Sequence, residues 1–143
     1  MYFSTYCHNN CTFCYYRRTN SIDRYRKSPE EIISLAADLK DAGIDLVDLT
    51  MGEDEHMYAD DYSELLEIIS GVKKLGISIM ASPGAVKKEA MPKIKAAGAD
   101  FYAVYQETHN RDLYSSSVWS RISISDTTRG YGPGRPGCLP RTA

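Results

Sequence analysis

The sequence predicts an α/β fold: about four βα units on a parallel sheet, roughly half of a TIM-type (β/α) barrel. Two observations carry this. A helix-like stretch ending at a glycine and running into a short apolar segment recurs at 39–43 before 44–50, 73–76 before 77–82, and 94–98 before 100–106. Glycine just past a helix takes the left-handed conformation that satisfies the last carbonyls. The apolar runs are of strand length and rich in Ile, Val, Leu, Phe and Tyr, so each unit returns by a right-handed crossover to a parallel neighbour. The second observation is size, since 143 residues make one domain with a real core and not two.

Taken in order, Tyr2-Phe3-Ser4 forms a short first strand. Ser28-Pro29-Glu30-Glu31 offers an N-cap serine, proline at the first helical position and a capping-box glutamate, and Ile32, Ile33, Leu35, Ala36 and Leu39 follow at helical spacing. A second helix is predicted over 61–74, with Leu65, Leu66, Ile68, Ile69 and Val72 inward. A third runs over 87–97, with Pro92 in its first turns. From Ser115 the rhythm breaks, and Ser115-Ser116-Ser117 followed by Gly130-Tyr131-Gly132-Pro133-Gly134 reads as a disordered tail over 115–143 after a barrel portion over 1–114. The Gly/Pro cluster lacks both the Lys-Ser/Thr ending and the flanking strand of a phosphate loop.

A formal net charge of −2 gives no electrostatic case for nucleic-acid or membrane-surface binding. No apolar run approaches the roughly 20 residues of a membrane span, and Met1 leads into a polar stretch unlike a signal peptide. A cytoplasmic protein with reduced thiols is expected, so four cysteines point to metal or redox chemistry before disulfides. Cys7, Cys11 and Cys14 lie in Cys7-His8-Asn9-Asn10-Cys11-Thr12-Phe13-Cys14, spaced C-x3-C-x2-C just after the first strand, whereas Cys138 sits alone. This spacing lets three thiolates converge on one [4Fe–4S] cluster from a single loop, leaving one iron open. Two other readings stand beside it: structural zinc with His8 or His56 as a fourth ligand, in a small zinc-binding or interaction module without catalysis, and inert buried thiols. His8, His56 and His109 show no ligand spacing to one another, and Arg17, Arg18, Arg24 and Arg26 read mainly as a solvated basic face.

With an aromatic before its third cysteine, this motif resembles the radical S-adenosylmethionine (SAM) superfamily. Tyr2-Phe3-Ser4-Thr5-Tyr6-Cys7, Asp23-Arg24-Tyr25-Arg26, Val47-Asp48-Leu49-Thr50-Met51-Gly52-Glu53-Asp54, Ser82-Pro83-Gly84 and Tyr105-Gln106-Glu107-Thr108 narrow the resemblance to the methylornithine synthases of pyrrolysine biosynthesis, over residues 2–114. Biotin synthase and a hydrogenase maturase are the other similar families. The resemblance implies a radical SAM barrel and an isomerase of amino-acid biosynthesis that rearranges L-lysine to (3R)-3-methyl-D-ornithine. A 5′-deoxyadenosyl radical generated at the cluster does this, so no side chain is named as catalytic. It also implies an electron donor such as flavodoxin or ferredoxin.

The resemblance assigns the cluster to Cys7, Cys11 and Cys14, and SAM to Phe13, Met51, Gly52, Glu53, Ser82, Tyr105 and Glu107. Met51-Gly52 backbone and Glu53 stand where SAM's amino group is received, Glu107 where its ribose hydroxyls bind, and Phe13 against adenine. A core aromatic is the other reading of Phe13, and an exposed strand-end glutamate that of Glu107. Strand parity puts Leu46, Asp48 and Thr50 on one face and Val47 and Leu49 on the other, so Asp48 is an inward carboxylate that needs a charged partner. The resemblance makes that partner the substrate ammonium; a water-bonded or Arg-paired aspartate is the alternative. Relatives are longer at both ends, so the resemblance further implies a fragment with an open sheet edge and part of its substrate pocket missing.

Overall fold

The computed structural model describes residues 1–117. Four parallel strands form one sheet in chain order: β1 (Tyr2–Ser4), β2 (Leu46–Met51), β3 (Ser78–Ser82) and β4 (Phe101–Tyr102). The crossovers are the helices α1 (Pro29–Asp41), α2 (Ser63–Lys74) and α3 (Met91–Ala97), and α4 (Arg111–Ser117) follows β4. The β2–β3 register is continuous from Leu46 opposite Ser78 to Thr50 opposite Ser82, while β1 meets β2 through an irregularity between Tyr2 and Ser4.

Local chemistry accounts for the helix ends. Ser28 caps α1 with a reciprocal capping box to Glu31, and Pro29 opens the helix. Gly43, with φ of +88°, turns the chain toward β2. Pro92 lies in the first turn of α3, where its missing N–H leaves no ladder bond unmade. Helix α2 begins two residues later than expected, because 3-10 turns at Glu55–Tyr58 and Asp60–Tyr62 precede it.

Strand alternation sorts the sheet into two faces. Val47, Leu49, Met51, Ile79 and Ala81 pack under the helices with Ile32, Ala36, Leu65, Ile68, Ile69, Val72 and Ile94. Leu46, Asp48 and Thr50 take the opposite face, as the parity argument expects. Of the apolar positions at helical spacing on α1, Leu35 is exposed, because the helix rests on a stripe centred on Ile32 and Ala36. The outer edge of β1 is covered by residues 25–27 running antiparallel to it: Tyr25 donates to Thr5 Oγ1, Thr5 N–H to Tyr25 O, and Lys27 N–H to Phe3 O.

Two expectations are corrected here. β4 spans Phe101–Tyr102 where a strand over 100–106 was expected. Asp100 flanks it, its N–H donating to Ile79 O and its carboxylate accepting the Ile79 N–H, and Ala103 N–H donates to Ala81 O, beyond which the chain leaves β3. Helix α4 carries regular structure through Ser117, past the break expected at Ser115. The disordered tail expected further on, with Trp119 and Cys138, lies outside the described residues. No helix among the described residues is long and apolar enough to cross a membrane.

Candidate functional site

The segment between β1 and α1 holds the three cysteines and contains no helix or named strand. Its shape comes from turns and side-chain bonds. Cys14 N–H donates to Cys11 O at 3.1 Å, Arg17 N–H to Cys14 O at 3.3 Å, and Arg18 N–H to Asn9 O at 2.9 Å. The Arg24 guanidinium gathers the carbonyls of Thr5, Tyr16 and Arg17, and Arg17 itself donates to Thr12 O at 2.7 Å. Arg26 makes a two-pronged pair with Asp54 at 2.7 and 2.8 Å while lying 4.7 Å above the Tyr6 ring. Arg24 and Arg26 are therefore the loop's internal bracing, which corrects the reading of them as a solvated face.

Cys7, Cys11 and Cys14 are free thiols, each half-buried. Burial first, and then the neighbouring Cys7 and Cys14, push Cys11 up to about 11. Burial likewise raises Cys7, against the lowering effect of backbone N–H groups at Asn9 and Glu53. Three thiols close enough to oppose one another's ionisation make a donor set that a cationic centre would stabilise as thiolates. No group of three or more His, Cys, Asp or Glu among the described residues is gathered tightly enough for a single metal ion. Three thiols on one short loop suit a multi-iron cluster in which each ligates a different iron and one iron stays open. Gly52 completes the fit. A Cβ there would stand 2.2 Å from Tyr6 O and 3.0 Å from Cys7 Cβ, so the loop after β2 can approach the first cysteine only as glycine.

The loops after β1, β2 and β3 are tied together around Glu53. His8 N–H donates to Glu53 O at 3.0 Å, and His8 Nε2 lies 3.3 Å from Glu53 Oε2. Glu53 Oε1 accepts Ala85 N–H at 3.2 Å, and its stem occupies the space beside Gly84, where a Cβ would sit 2.2 Å from Glu53 Cγ. Tyr58 stacks edge-on to His8 and donates to Pro83 O at 2.5 Å. Tyr102 donates to Gly84 O and accepts Val86 N–H. All four strands thus deliver their C-terminal ends to one rim, where parallel α/β folds place their chemistry.

Most of the residues expected at the site reach this rim, with some corrections. Met51 is the last residue of β2, and its side chain is buried in the helix-facing core, so its backbone alone faces the loop. Ser82 is buried and donates to Asp48 Oδ1 at 2.6 Å. Asp48 therefore has a hydroxyl partner and no arginine, and Oδ2 meets no donor among the described residues. Phe13 is 56% exposed, which excludes the core-aromatic reading. Tyr105 and Glu107 lie beyond β4, outside the strand expected over 100–106. Both are exposed, and Glu107 takes a left-handed φ of +63°. Three residues at the rim had no role in the sequence reading, Tyr58, Tyr102 and Tyr114, and His8 entered it only as an alternative zinc ligand. Tyr114 is raised by burial first and then by neighbouring Cys11, Glu53 and Glu107, which places α4 over the cysteine loop. Thr12 N–H donating to Ser117 O at 2.9 Å fixes the same contact.

The family profile described as the Radical SAM superfamily matches residues 1–130, past Tyr114 where the resemblance by motif ends. Among curated proteins, the chain is 47% identical over 116 residues to 3-methylornithine synthase of Methanosarcina acetivorans, covering 80% of this chain and 33% of that protein. It is 37% identical over 113 residues to the [FeFe] hydrogenase maturase subunit HydE of Thermotoga maritima, covering 78% and 32%. The chain thus spans about a third of the length of the curated relatives it matches. Among solved structures, methylornithine synthase (PylB) superposes with a TM-score of 0.79 at 44% identity, covering 87% of this chain and 37% of that one. The hydrogenase maturase HydG superposes with a TM-score of 0.74 at 28% identity, covering 84% and 28%.

Proposed function

This chain belongs to the radical SAM superfamily, and from that premise we propose that it is a mutase of the methylornithine synthase type, an isomerase acting on L-lysine to form (3R)-3-methyl-D-ornithine in pyrrolysine biosynthesis. The observation that carries this is the 47% identity to a protein of that activity. When bound, the [4Fe–4S] cluster and SAM of this superfamily supply a 5′-deoxyadenosyl radical, a hydrogen-abstracting species no side chain can provide.

The chain's own residues divide the remaining work. Cys7, Cys11 and Cys14 hold the cluster from a loop braced by Arg24 and seated on Gly52. Glu53, with the Met51-Gly52 backbone, receives the SAM amino group. Phe13 covers the adenine, the Ser82-Pro83-Gly84 turn borders the cofactor, and Tyr105 and Glu107 meet its ribose. Asp48 accepts the substrate ammonium on the face of the sheet away from the helices, with Ser82 orienting one oxygen at 2.6 Å and Oδ2 left for the ligand. A flavodoxin or ferredoxin supplies the electron in the cytoplasm, where the three thiols stay reduced.

The test is anaerobic cluster reconstitution of this chain, reduction with dithionite in the presence of SAM and lysine, and assay for 5′-deoxyadenosine and methylornithine. 5′-Deoxyadenosine is expected, and methylornithine with it shows that the missing barrel portion is dispensable, while its absence shows that the SAM site survives without the whole substrate pocket; 5′-deoxyadenosine without lysine dependence refutes the substrate reading and leaves the superfamily chemistry. The 37% identity to a hydrogenase maturase favours a second reading, another substrate on the same site. Asp48→Asn separates the two, because lysine-dependent SAM cleavage falls about 100-fold or more in the first and is unchanged in the second.

A further inference from the structure

Glu53 is held at the rim with unusual completeness for a residue 24% exposed. Its backbone carbonyl accepts His8 N–H, Oε1 accepts Ala85 N–H, and its stem fills the space left by Gly84, whose φ of +84° already favours glycine. The remaining oxygen, Oε2, faces His8 Nε2 at 3.3 Å. The His8 ring is itself fixed: 14% exposed, lying edge-on to Tyr58, which is anchored to Pro83 O. Its Nδ1 is buried without a hydrogen-bond partner among the described residues, with Glu55 Oε1 at 4.0 Å. Nε2 is therefore the ring nitrogen in polar contact with the Glu53 carboxylate.

We propose that His8 is a positioning residue that fixes the Glu53 carboxylate for the SAM amino group, the imidazole of the residue beside the first cysteine setting its Nε2 against a carboxylate oxygen on the loop after β2. The inference rests on the reading of Glu53 as the SAM contact. A carboxylate offers about four acceptor positions and Ala85 N–H uses one of them, so both oxygens keep capacity for an ammonium. Free rotation about the last side-chain bond would otherwise scatter those positions. The arrangement also couples the cofactor contact to the cysteine loop, since His8 and Cys7 are adjacent. Partners that orient a ligand-contacting group in this way are typically worth 10–100-fold in affinity.

The test uses His8→Ala, His8→Asn, His8→Gln and Glu53→Gln in the full chain. Three readouts are taken: iron and sulfide per chain, the SAM dissociation constant of the reconstituted protein, and the change in the electron paramagnetic resonance spectrum of the reduced cluster when SAM is added. The Gln amide nitrogen reaches the place of Nε2, whereas that of Asn reaches only Nδ1. The expected result is wild-type iron in all four variants, SAM bound about tenfold more weakly by His8→Ala, His8→Asn and Glu53→Gln, and most of the affinity kept by His8→Gln. If Glu53→Gln weakens SAM while His8→Ala and His8→Asn do not, the positioning role is overturned and the Glu53 contact stands. If Glu53→Gln is without effect, the premise itself fails. If His8→Gln and His8→Ala both lose iron, His8 serves the cysteine loop and the proposal is again overturned.

Discussion

Replacing Gly52 by alanine tests whether the approach of two loops, and not merely three cysteines, makes the cluster site. The added Cβ would sit 2.2 Å from Tyr6 O and 3.0 Å from Cys7 Cβ. A carbon and a carbonyl oxygen do not approach within about 3.2 Å without repulsion, so something must move by about 1 Å. The obstacle is main chain, and Gly52 N–H is itself bonded to Ser4 O at 2.9 Å, so neither side yields freely. Overpacking of this kind costs about 1–3 kcal/mol, which for a chain of this size lowers the Tm by about 4–12 °C. The functional effect is larger in proportion, because metal-ligand distances tolerate only about 0.2 Å. Gly52→Ala is therefore expected to stay folded at 20 °C by circular dichroism yet retain under a tenth of the wild-type iron and sulfide after anaerobic reconstitution. Gly43→Ala is the control: its φ of +88° makes alanine strained, but nothing lies within 4 Å of the new Cβ. It should lose about 1 kcal/mol of stability and no iron. Wild-type cluster content in Gly52→Ala would refute the reasoning.

Two further outcomes follow from the packing. Asp54→Asn removes the charge from a carboxylate that accepts Arg26 twice, Ser4 Oγ at 2.5 Å and His56 N–H at 3.1 Å, and costs about 3 kcal/mol in chemical denaturation. Burial alone would raise the Asp54 pKa, but these bonds outweigh it and hold it below the usual carboxylate range, so its contribution is complete above the unfolded value of about 4 and is lost as pH falls through the lower folded value. The stability gap between wild type and Asp54→Asn should thus be constant from about pH 5 to 7 and close only below about pH 4. Gly71→Ala places a Cβ 2.2 Å from Ile33 Cδ1, the movable end of a side chain between α1 and α2, so it should change stability by about 1 kcal/mol or less and leave iron content untouched.

What was legible in the sequence is what local chemistry determines. The capping box at Ser28 and Glu31 and the turn at Gly43 are written within a few residues, and α1 appears where they place it. The C-x3-C-x2-C loop is legible for the same reason, since its spacing is its geometry. The length of β4 was not, because an apolar run states what can pair and not where pairing stops. The turns before α2 were hidden too: Asp60, Asp61 and Tyr62 all take left-handed φ values, of 45°, 59° and 68°, without a glycine to announce it. The least visible part was the bracing. Arg24, Arg26 and His8 act on partners across the fold, and no periodicity records a guanidinium that gathers carbonyls from another turn of the same loop.

Glu53 and Asp54 show how much depends on direction alone. They are adjacent acids in one motif, equivalent in charge and similar in reach. The backbone sends them opposite ways, with Asp54 N–H turning back to Gly52 O at 2.8 Å. Asp54 enters the interior, 3% exposed, and its acceptor positions are taken up by β1, by the strap over its edge and by the following turn. It has nothing left to offer a ligand, and its role is to hold three segments in place. Glu53 turns to the rim, where Oε1 accepts Ala85 N–H at 3.2 Å and Oε2 lies 3.3 Å from His8 Nε2, long enough to orient and too long to saturate. A carboxylate aimed but not consumed is what a cationic ligand requires. Because the two share one turn, the interior pair anchors the peptide from which the rim carboxylate projects, so rigidity in the Asp54 cluster becomes precision at Glu53.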